Sequence, residues 1–396
     1  SDIKYDDADN IYIYTQPGRD SSNQDNQHWF YYGDTTADRK KHLLWRSRTP
    51  MHMTDYYSYD SYGNTTACRR VNYGVYENTT ADNAYPYIRT ETTYDDDGNY
   101  TTSTKDARGN QVTQVVDAND GTLSSVTDPN GQTVNYTYDD ARRVTAVQTA
   151  GDEKTYRNAY TYENDRIKTV SHNTTDDNTN DVTYTFGYDD LGRKTTVKVG
   201  NQVLSTNEYD PGRNTLLTGV EYGNGGKVAY TYDDFDRLTA VRHDDDTADR
   251  LTYEYGANGQ VAQVTHVVDE NITRYARTDY DLADRPCQTV LHESVDGGNK
   301  ERLYKTLLKY DKLNNLTQFA EDIQTEIHTT GYTYDRDNRV TEIAYDGSAH
   351  KVKYTYDALG RVATRVAECG ATAGKLTSTY GYVGGGYGTN STTPLV

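Results

Sequence analysis

The string Lys353-Tyr354-Thr355-Tyr356-Asp357-Ala358-Leu359-Gly360-Arg361-Val362 returns in close copies along most of this chain, and the repetition constrains the fold more than any other property of the sequence. Tyr-Thr-Tyr has the composition of a strand end. β-Branched and aromatic residues suit a pleated, half-buried surface, and tyrosines two apart share one face. Asp-Ala-Leu-Gly has the composition of a turn. The aspartate accepts forward hydrogen bonds from backbone amides, two permissive residues follow, and glycine supplies the left-handed corner of a type I turn with a G1 bulge. Arg361-Val362 then opens the return strand.

The copies test this reading. If Gly360 is there for positive φ, the same place elsewhere should hold Gly, Asn or Asp. It holds Gly63 after Tyr59, Gly98 after Tyr94, Gly192 after Tyr188, Asp236 after Tyr232, Gly259 after Tyr255, Asp284 after Tyr280, Asn314 after Tyr310 and Asn338 after Tyr334. Arg142, after Tyr138, is the exception. The first corner is acidic at Asp60, Asp95, Asp139, Asp189, Asp233, Asp281, Asp335 and Asp357. An arginine follows the left-handed place at Arg143, Arg193, Arg237, Arg285, Arg339 and Arg361. These residues are read as a structural turn motif, and none of the aspartates as catalytic. Gly360→Val should then destabilise the turn, while Gly360→Asn should be mild. Two copies, Tyr162-Glu163-Asn164-Asp165-Arg166 and Tyr209-Asp210-Pro211-Gly212-Arg213, are one residue shorter and predict tighter turns.

Spacing predicts the architecture. Asp95, Asp106, Asp117, Asp128 and Asp139 stand about 11 positions apart, each heading a turn-like string, so that interval is one strand plus one turn. Further on, the motif tyrosines at 138, 162, 188, 209, 232, 255, 280, 310, 334 and 356 recur at about twice that interval, one hairpin per unit. Strings such as Val144-Thr145-Ala146-Val147 and Val340-Thr341-Glu342-Ile343 follow the first turns, and no helix longer than a turn or two is predicted. The fold class is all-β: tandem antiparallel hairpins forming a long sheet that must coil or curl, because sheets twist with a fixed hand. Residues 1–55 are read as an irregular N-terminal β segment or cap, 56–366 as the repeat array, and 367–396 as a Gly/Thr-rich tail. Within the tail, Tyr380-Gly381-Tyr382-Val383-Gly384-Gly385-Gly386-Tyr387-Gly388 is read as a flexible exit in preference to a further irregular repeat.

The apolar inventory is narrow: hydrophobic residues are 34%, with 4 Phe, 2 Met and 2 Trp against 40 Tyr. Buried surface must come largely from Tyr, Val, Thr and Leu. Phenol hydroxyls need water or a partner, which suits a thin sheet better than a thick core. A net charge of −19 with no basic stripe argues against nucleic acid as a partner. Cys68, Cys287 and Cys369 are far apart and match neither a disulfide framework nor zinc spacing. No apolar run is long enough to span a bilayer, so membrane insertion is not expected, and an export signal would lie outside this segment.

Signals for chemistry are weak. Trp29 and Trp45 fall in the irregular N-terminal part with His28, His42 and His52. They are either an aromatic platform for sugar rings or a protein, or part of a repeat that closes one end of the array, and the second reading is favoured. The histidines are scattered and none pairs with another at metal-ligand spacing. Asp117-Ala118-Asn119-Asp120-Gly121 and the run Asp176 to Asp181 are rich in oxygen donors but lack the spacing and closing Glu of an EF-hand. No cofactor is expected, and weak surface calcium at these two places is the one alternative kept open.

The Tyr-Thr-Tyr-Asp-x-x-Gly-Arg-Val strings at 136–144, 230–238, 332–340 and 354–362, with Tyr188-Asp189-Asp190-Leu191-Gly192-Arg193, resemble the YD repeats of bacterial rearrangement-hotspot and wall-associated proteins, insecticidal toxin-complex shells and animal teneurins. The resemblance covers roughly residues 56 to 366. It implies a spiralling β-sheet that closes into a hollow shell, enclosing a C-terminal toxin in bacterial members and supporting adhesion in teneurins. It also implies an extracellular or bacterial cell-surface location. One departure matters: no Asp-Pro-x-Gly-Leu type closing motif with a releasing aspartate pair is present, since Asp128-Pro129 and Asp210-Pro211 sit inside repeats. Autocleavage and toxin activity are therefore not carried over.

Two functions remain. The first is a non-catalytic scaffold, part of an exported bacterial YD-repeat protein whose partner is its own downstream toxin or effector domain. The second is a cell-surface adhesin or carbohydrate-binding module that engages surface glycans or a protein.

Overall fold

The structure is a computed structural model, and the residues it describes are 2–16, 26–33, 35–72, 86–150, 156–173, 182–213, 215–244, 246, 248–323, 326–347, 350–370, 374–387 and 390–395. They form 31 strands and one short helix, Thr36–Arg39. The fold is all-β and built of antiparallel strands. The chain divides into two compact units, one of Ser1–Gly131, Lys309–Ala320 and His328–Val396, the other of Gln132–Leu308 and Glu321–Ile327.

In the second unit, strands from Thr133–Tyr138 to Glu301–Tyr310 each pair antiparallel with the next in sequence. The first unit contains two such runs. One goes from Asp2–Tyr5 to Leu123–Thr127 and the other from Glu326–Tyr334 to Lys375–Thr379. The two runs meet where Asp337 accepts hydrogen bonds from Thr49 Oγ1 at 2.8 Å and from the Met51 amide at 3.1 Å.

Register shifts fall immediately before the motif tyrosine, between Thr137 and Tyr138, Thr231 and Tyr232, and Thr355 and Tyr356. This is the bulge that a left-handed residue at the end of a type I turn imposes on a hairpin. One face of the strands is half-buried through the tyrosines. The other carries threonine pairs, Thr137 with Thr145 at 3.0 Å, Thr333 with Thr341 at 3.0 Å and Thr355 with Thr364 at 2.7 Å. Few side chains are fully enclosed. Ile13, Val71, Tyr87 and Leu359 are among them in the first unit, and Ala146 and Ala240 in the second.

Three features differ from the sequence-based expectation. The first is the tail, which is fastened down. Tyr382 donates to the Val362 carbonyl at 2.7 Å and lies under the Arg361 guanidinium at 4.0 Å, while Arg361 Nη1 bonds Thr392 Oγ1 and the Thr393 carbonyl at 2.8 and 2.6 Å. Tyr87 exchanges backbone hydrogen bonds with Asn390 and Thr392, and the Gly386 amide bonds the Ala107 carbonyl at 3.1 Å. Glycine is required there, since a Cβ on Gly385 would sit 2.8 Å from the Ala107 carbonyl oxygen. A glycine run that reads as looseness in sequence thus permits close backbone approach.

The second difference lies in the two short copies. Asn164 and Asp165 both hold positive φ, 50° and 62°, and Glu163 pairs with Arg166, so that turn is a tight two-residue one as expected. The turn after Tyr209 is wide instead. The Asp210 amide closes on the carbonyl of Leu216 and Tyr209 pairs with Leu217, while the Arg213 amide donates to Asp210 Oδ1 at 2.8 Å inside the turn. The third is a copy missed at the N-terminus, Tyr5-Asp6-Asp7-Ala8-Asp9-Asn10. There Asp6 Oδ1 accepts from the Ala8 and Asn10 amides at 2.8 and 3.0 Å and Asp9 has φ 62°.

Candidate functional site

The candidate site is the repeated turn itself, and Asp357 shows how it works. Its Oδ1 accepts from the amides of Leu359 and Arg361, each at 2.9 Å, and the Gly360 amide bonds the Asp357 carbonyl at 3.0 Å. Gly360 has φ 82°. The second carboxylate oxygen, Oδ2, takes Nε of Arg361 at 2.7 Å. One side chain thereby satisfies two turn amides and anchors a cation.

The same set recurs at the other full-length copies that Arg closes. Arg143, Arg193, Arg237, Arg285 and Arg339 donate Nε to Asp139, Asp189, Asp233, Asp281 and Asp335 at 2.8, 2.6, 2.7, 2.8 and 2.7 Å. Asn64, Asn110 and Asn315 replace the arginine and reach Oδ2 of Asp60, Asp106 and Asp311 through their amide nitrogen. At Asp95 the loop is one residue longer, and Oδ1 accepts from Asn99 and Tyr100. The left-handed place is occupied as φ demands: Gly63 92°, Gly98 71°, Gly192 78°, Asp236 61°, Asp284 57° and Asn338 60°. Arg142 holds φ 61° as well, so this place is left-handed even where a long side chain fills it.

A second function of the arginine links one repeat to the next. The guanidinium of Arg143 lies 4.6 Å from the centre of the Tyr162 ring, Arg193 4.7 Å from Tyr209, Arg237 4.2 Å from Tyr255, and Arg339 4.3 Å from Tyr356. Each of those tyrosines then donates its hydroxyl to the carbonyl of the residue after that arginine. Tyr162 reaches Val144 at 2.7 Å, Tyr209 Lys194 at 2.8 Å, Tyr255 Leu238 at 2.8 Å and Tyr356 Val340 at 2.6 Å. Tyr94, Tyr188, Tyr232, Tyr280 and Tyr334 likewise donate to carbonyls of a neighbouring strand, and Tyr59 to the carbonyl of Leu44, just before strand Arg46–Arg48. Aspartate, arginine and the following tyrosine form a latch between adjacent hairpins, combining a charge-assisted hydrogen bond with a cation–π contact. The carboxyls of Asp139 and Asp281 are held below the ordinary carboxylate range, chiefly by hydrogen bonds from Arg143 and Arg285.

Residues 116–154 match the RHS Repeat family profile, and this segment contains the turn of Asp128 and the whole Tyr138 to Val144 motif. That segment is similar to an RHS, or YD, repeat. Three solved structures share its fold. The complex TcdB2-TccC3-Cdc42 is 13% identical with a TM-score of 0.63, covering 87% of this chain and 19% of its own. TcdB2-TccC3-TEV is 13% identical with a TM-score of 0.57, covering 96% of this chain and 22% of its own. The Tc holotoxin pore of Photorhabdus luminescens is 13% identical with a TM-score of 0.55, covering 95% and 22%. This chain thus spans about a fifth of the length of these proteins. No curated protein matches it.

The other candidate residues are placed as follows. Trp29 stacks against Tyr31 with ring centres 6.4 Å apart and meets the edge of Tyr12, while Trp45 meets Tyr56 edge-on at 5.7 Å and lies 5.3 Å from the Arg46 guanidinium. Their rings are engaged by neighbours, and they do not form an open pair. In the first calcium candidate, Asp117 Oδ1 accepts from the Asn119 amide and Asp120 Oδ1 from Thr122, both turn contacts. The second, Asp176 to Asp181, lies outside the described residues. Among the described residues no group of three His, Cys, Asp or Glu could hold a metal ion.

At Gly360 a Cβ would run into Met53 Sδ and stand 3.0 Å from Arg339 Nη1, so Gly360→Asn must also shift these two long side chains, a cost added to the mild one expected from backbone conformation alone. At Gly259, with φ 78°, nothing lies within 4 Å, and the backbone argument stands alone.

Proposed function

We propose that this chain is a non-catalytic structural scaffold, a section of an exported bacterial YD-repeat protein whose β-sheet encloses or displays a further domain of the same polypeptide. The observation that carries this reading is the latch. In the turns closed by Arg143, Arg193, Arg237, Arg339 and Arg361, the carboxylate, the guanidinium and the next phenol are occupied with fastening one hairpin to another. Groups that would serve as acid, base or nucleophile elsewhere are consumed in holding a wall together. The turn residues are accordingly assigned a structural role.

The solved neighbours include a holotoxin, which supports placing the scaffold in an extracellular or cell-surface assembly. Among the described residues no helix is long and apolar enough to cross a membrane. The test is to express the complete reading frame that contains this chain and compare protease digestion of its downstream segment with and without the repeats. Protection by the repeats is expected. A downstream segment cut equally fast in both, or an electron-microscopy image showing a solid rod with no lumen, would overturn the enclosing role.

A further inference from the structure

The sheet surface formed by strands Gln27–Tyr31, Arg46–Arg48 and Met53–Tyr59 carries charge of the opposite sign to the chain as a whole. Trp29 lies directly opposite Arg48, and Tyr31 opposite Arg46, so these four side chains make a two-by-two block on one face. On the next strand Arg46 faces Tyr56. The Nε atoms of Arg46 and Arg48 and the Nε1 of Trp29 are buried and have no hydrogen-bond partner. Both arginines are half-buried, and no ion pair among the described residues engages either one. This contrasts with the turn arginines, each of which holds a carboxylate, in a chain of net charge −19.

The enclosed Nε donors show that the surrounding protein supplies these guanidinium groups with no acceptor there, and a half-buried charge left without a counter-ion is costly, a cost that a ligand offering carboxylates to the accessible part of each group removes. The block offers little free ring surface, because Tyr31 stacks on Trp29 and Arg46 covers the Tyr31 ring at 3.9 Å. Its recognition chemistry is therefore donors and positive charge, which suits carboxylates better than the faces of neutral sugars. Arg46 and Arg48 stand two apart on one strand, so their side chains leave the same face roughly 7 Å apart. That is the spacing of alternate side chains on another extended chain.

We propose that this block binds an extended acidic polypeptide segment, with alternate Asp or Glu carboxylates paired to Arg46 and Arg48. The site is independent of the scaffold reading, and either can fail without the other.

The experiment titrates the full chain with a fluorescein-labelled peptide alternating Glu and Thr, following anisotropy at two salt concentrations. Saturable binding that weakens with salt is expected. The double variant Arg46→Gln, Arg48→Gln should bind roughly tenfold or more weakly, because each lost bond is to a charged group. Arg46→Lys with Arg48→Lys keeps the charge and guards against loss of folding; it should also bind more weakly, since ammonium cannot reproduce the guanidinium fork. Arg302→Gln, which breaks an ion pair with Asp322 in the other unit, should bind like the parent. Unchanged affinity in both double variants would overturn the proposal. So would equal binding of a Gln-for-Glu peptide, no saturable binding, or binding of an oligouronate but not the peptide.

Discussion

The latch at Arg339 gives the sharpest prediction, because Arg339 and Asp335 together are the best shielded ion pair among the latches. The Arg339 and Asp335 side chains keep only 18% and 10% of their surface. Arg339 lies 4.3 Å from the Tyr356 ring centre, and Tyr356 bonds the Val340 carbonyl at 2.6 Å. Tyr356→Phe removes one hydroxyl bond and should cost about 1 kcal/mol. Arg339→Met removes charge-assisted bonds as well as the ring contact and should cost about 2–3 kcal/mol. The distinguishing quantity is the coupling in the double-mutant cycle Arg339→Met with Tyr356→Leu. A half-shielded cation–π pair places it near 1 kcal/mol. A control cycle with Tyr232→Leu, in the other unit, should couple by less than about 0.5 kcal/mol. Trp29 and Trp45 both belong to the unit that contains Arg339, so urea unfolding followed by indole emission reports on that unit. Two destabilising single variants whose effects add would mean that arginine and tyrosine act separately, and the latch would be refuted.

Four further outcomes are expected. Gly259→Asn should be mild and Gly259→Val should cost about 1–2 kcal/mol, whereas at Gly360 both should be harmful; equal melting shifts at Gly259 would refute the left-handed requirement. Arg142→Gly should raise stability by up to about 1 kcal/mol in urea titration, because it relieves a long side chain at φ 61°. Asp139 and Asp281 have carboxyl pKa values lowered by folding, so their contribution is complete above the ordinary carboxylate range and is lost as pH falls through the folded value. Acid titration of Asp139→Asn should therefore show a smaller loss below about pH 4 than the parent, and an identical profile would count against the ion pair. Gly386→Ala would drive a Cβ into the Arg108 carbonyl; amide exchange should rise at Gly385, Gly386 and Thr392 while the Thr364 strand stays protected.

The parts of the turn that were legible in sequence are those set by neighbours within five residues. Asp357 to Leu359 and Arg361, and the left-handed Gly360, form one local unit whose chemistry shows in any copy. The reach of Arg361 to Tyr382 was hidden because it spans 21 positions and depends on hairpins stacking in register. Tyr382 therefore looked like part of a loose glycine-rich exit, although it occupies the place of the next motif tyrosine. The copy at Tyr5 was readable in principle, since Asp6, Asp9 and Asn10 fit the pattern, but an irregular spacing separates it from the rest. The wide turn after Tyr209 could not be read from the motif, because its length is set by where Leu217 resumes pairing. The crowding at Gly360 comes from Met53, some three hundred residues earlier, and no local pattern encodes it.

Because the latch joins each hairpin only to the one beside it, chain length can vary in quanta. Deleting or duplicating one whole hairpin removes or adds one Asp, one Arg and one Tyr together and leaves every surviving neighbour relation intact. Deleting a single strand would move all later turns to the opposite edge and strand an arginine without its tyrosine. Families of such chains should therefore differ in length by whole hairpins, and a sheet of this kind can be lengthened or shortened without redesigning its joints.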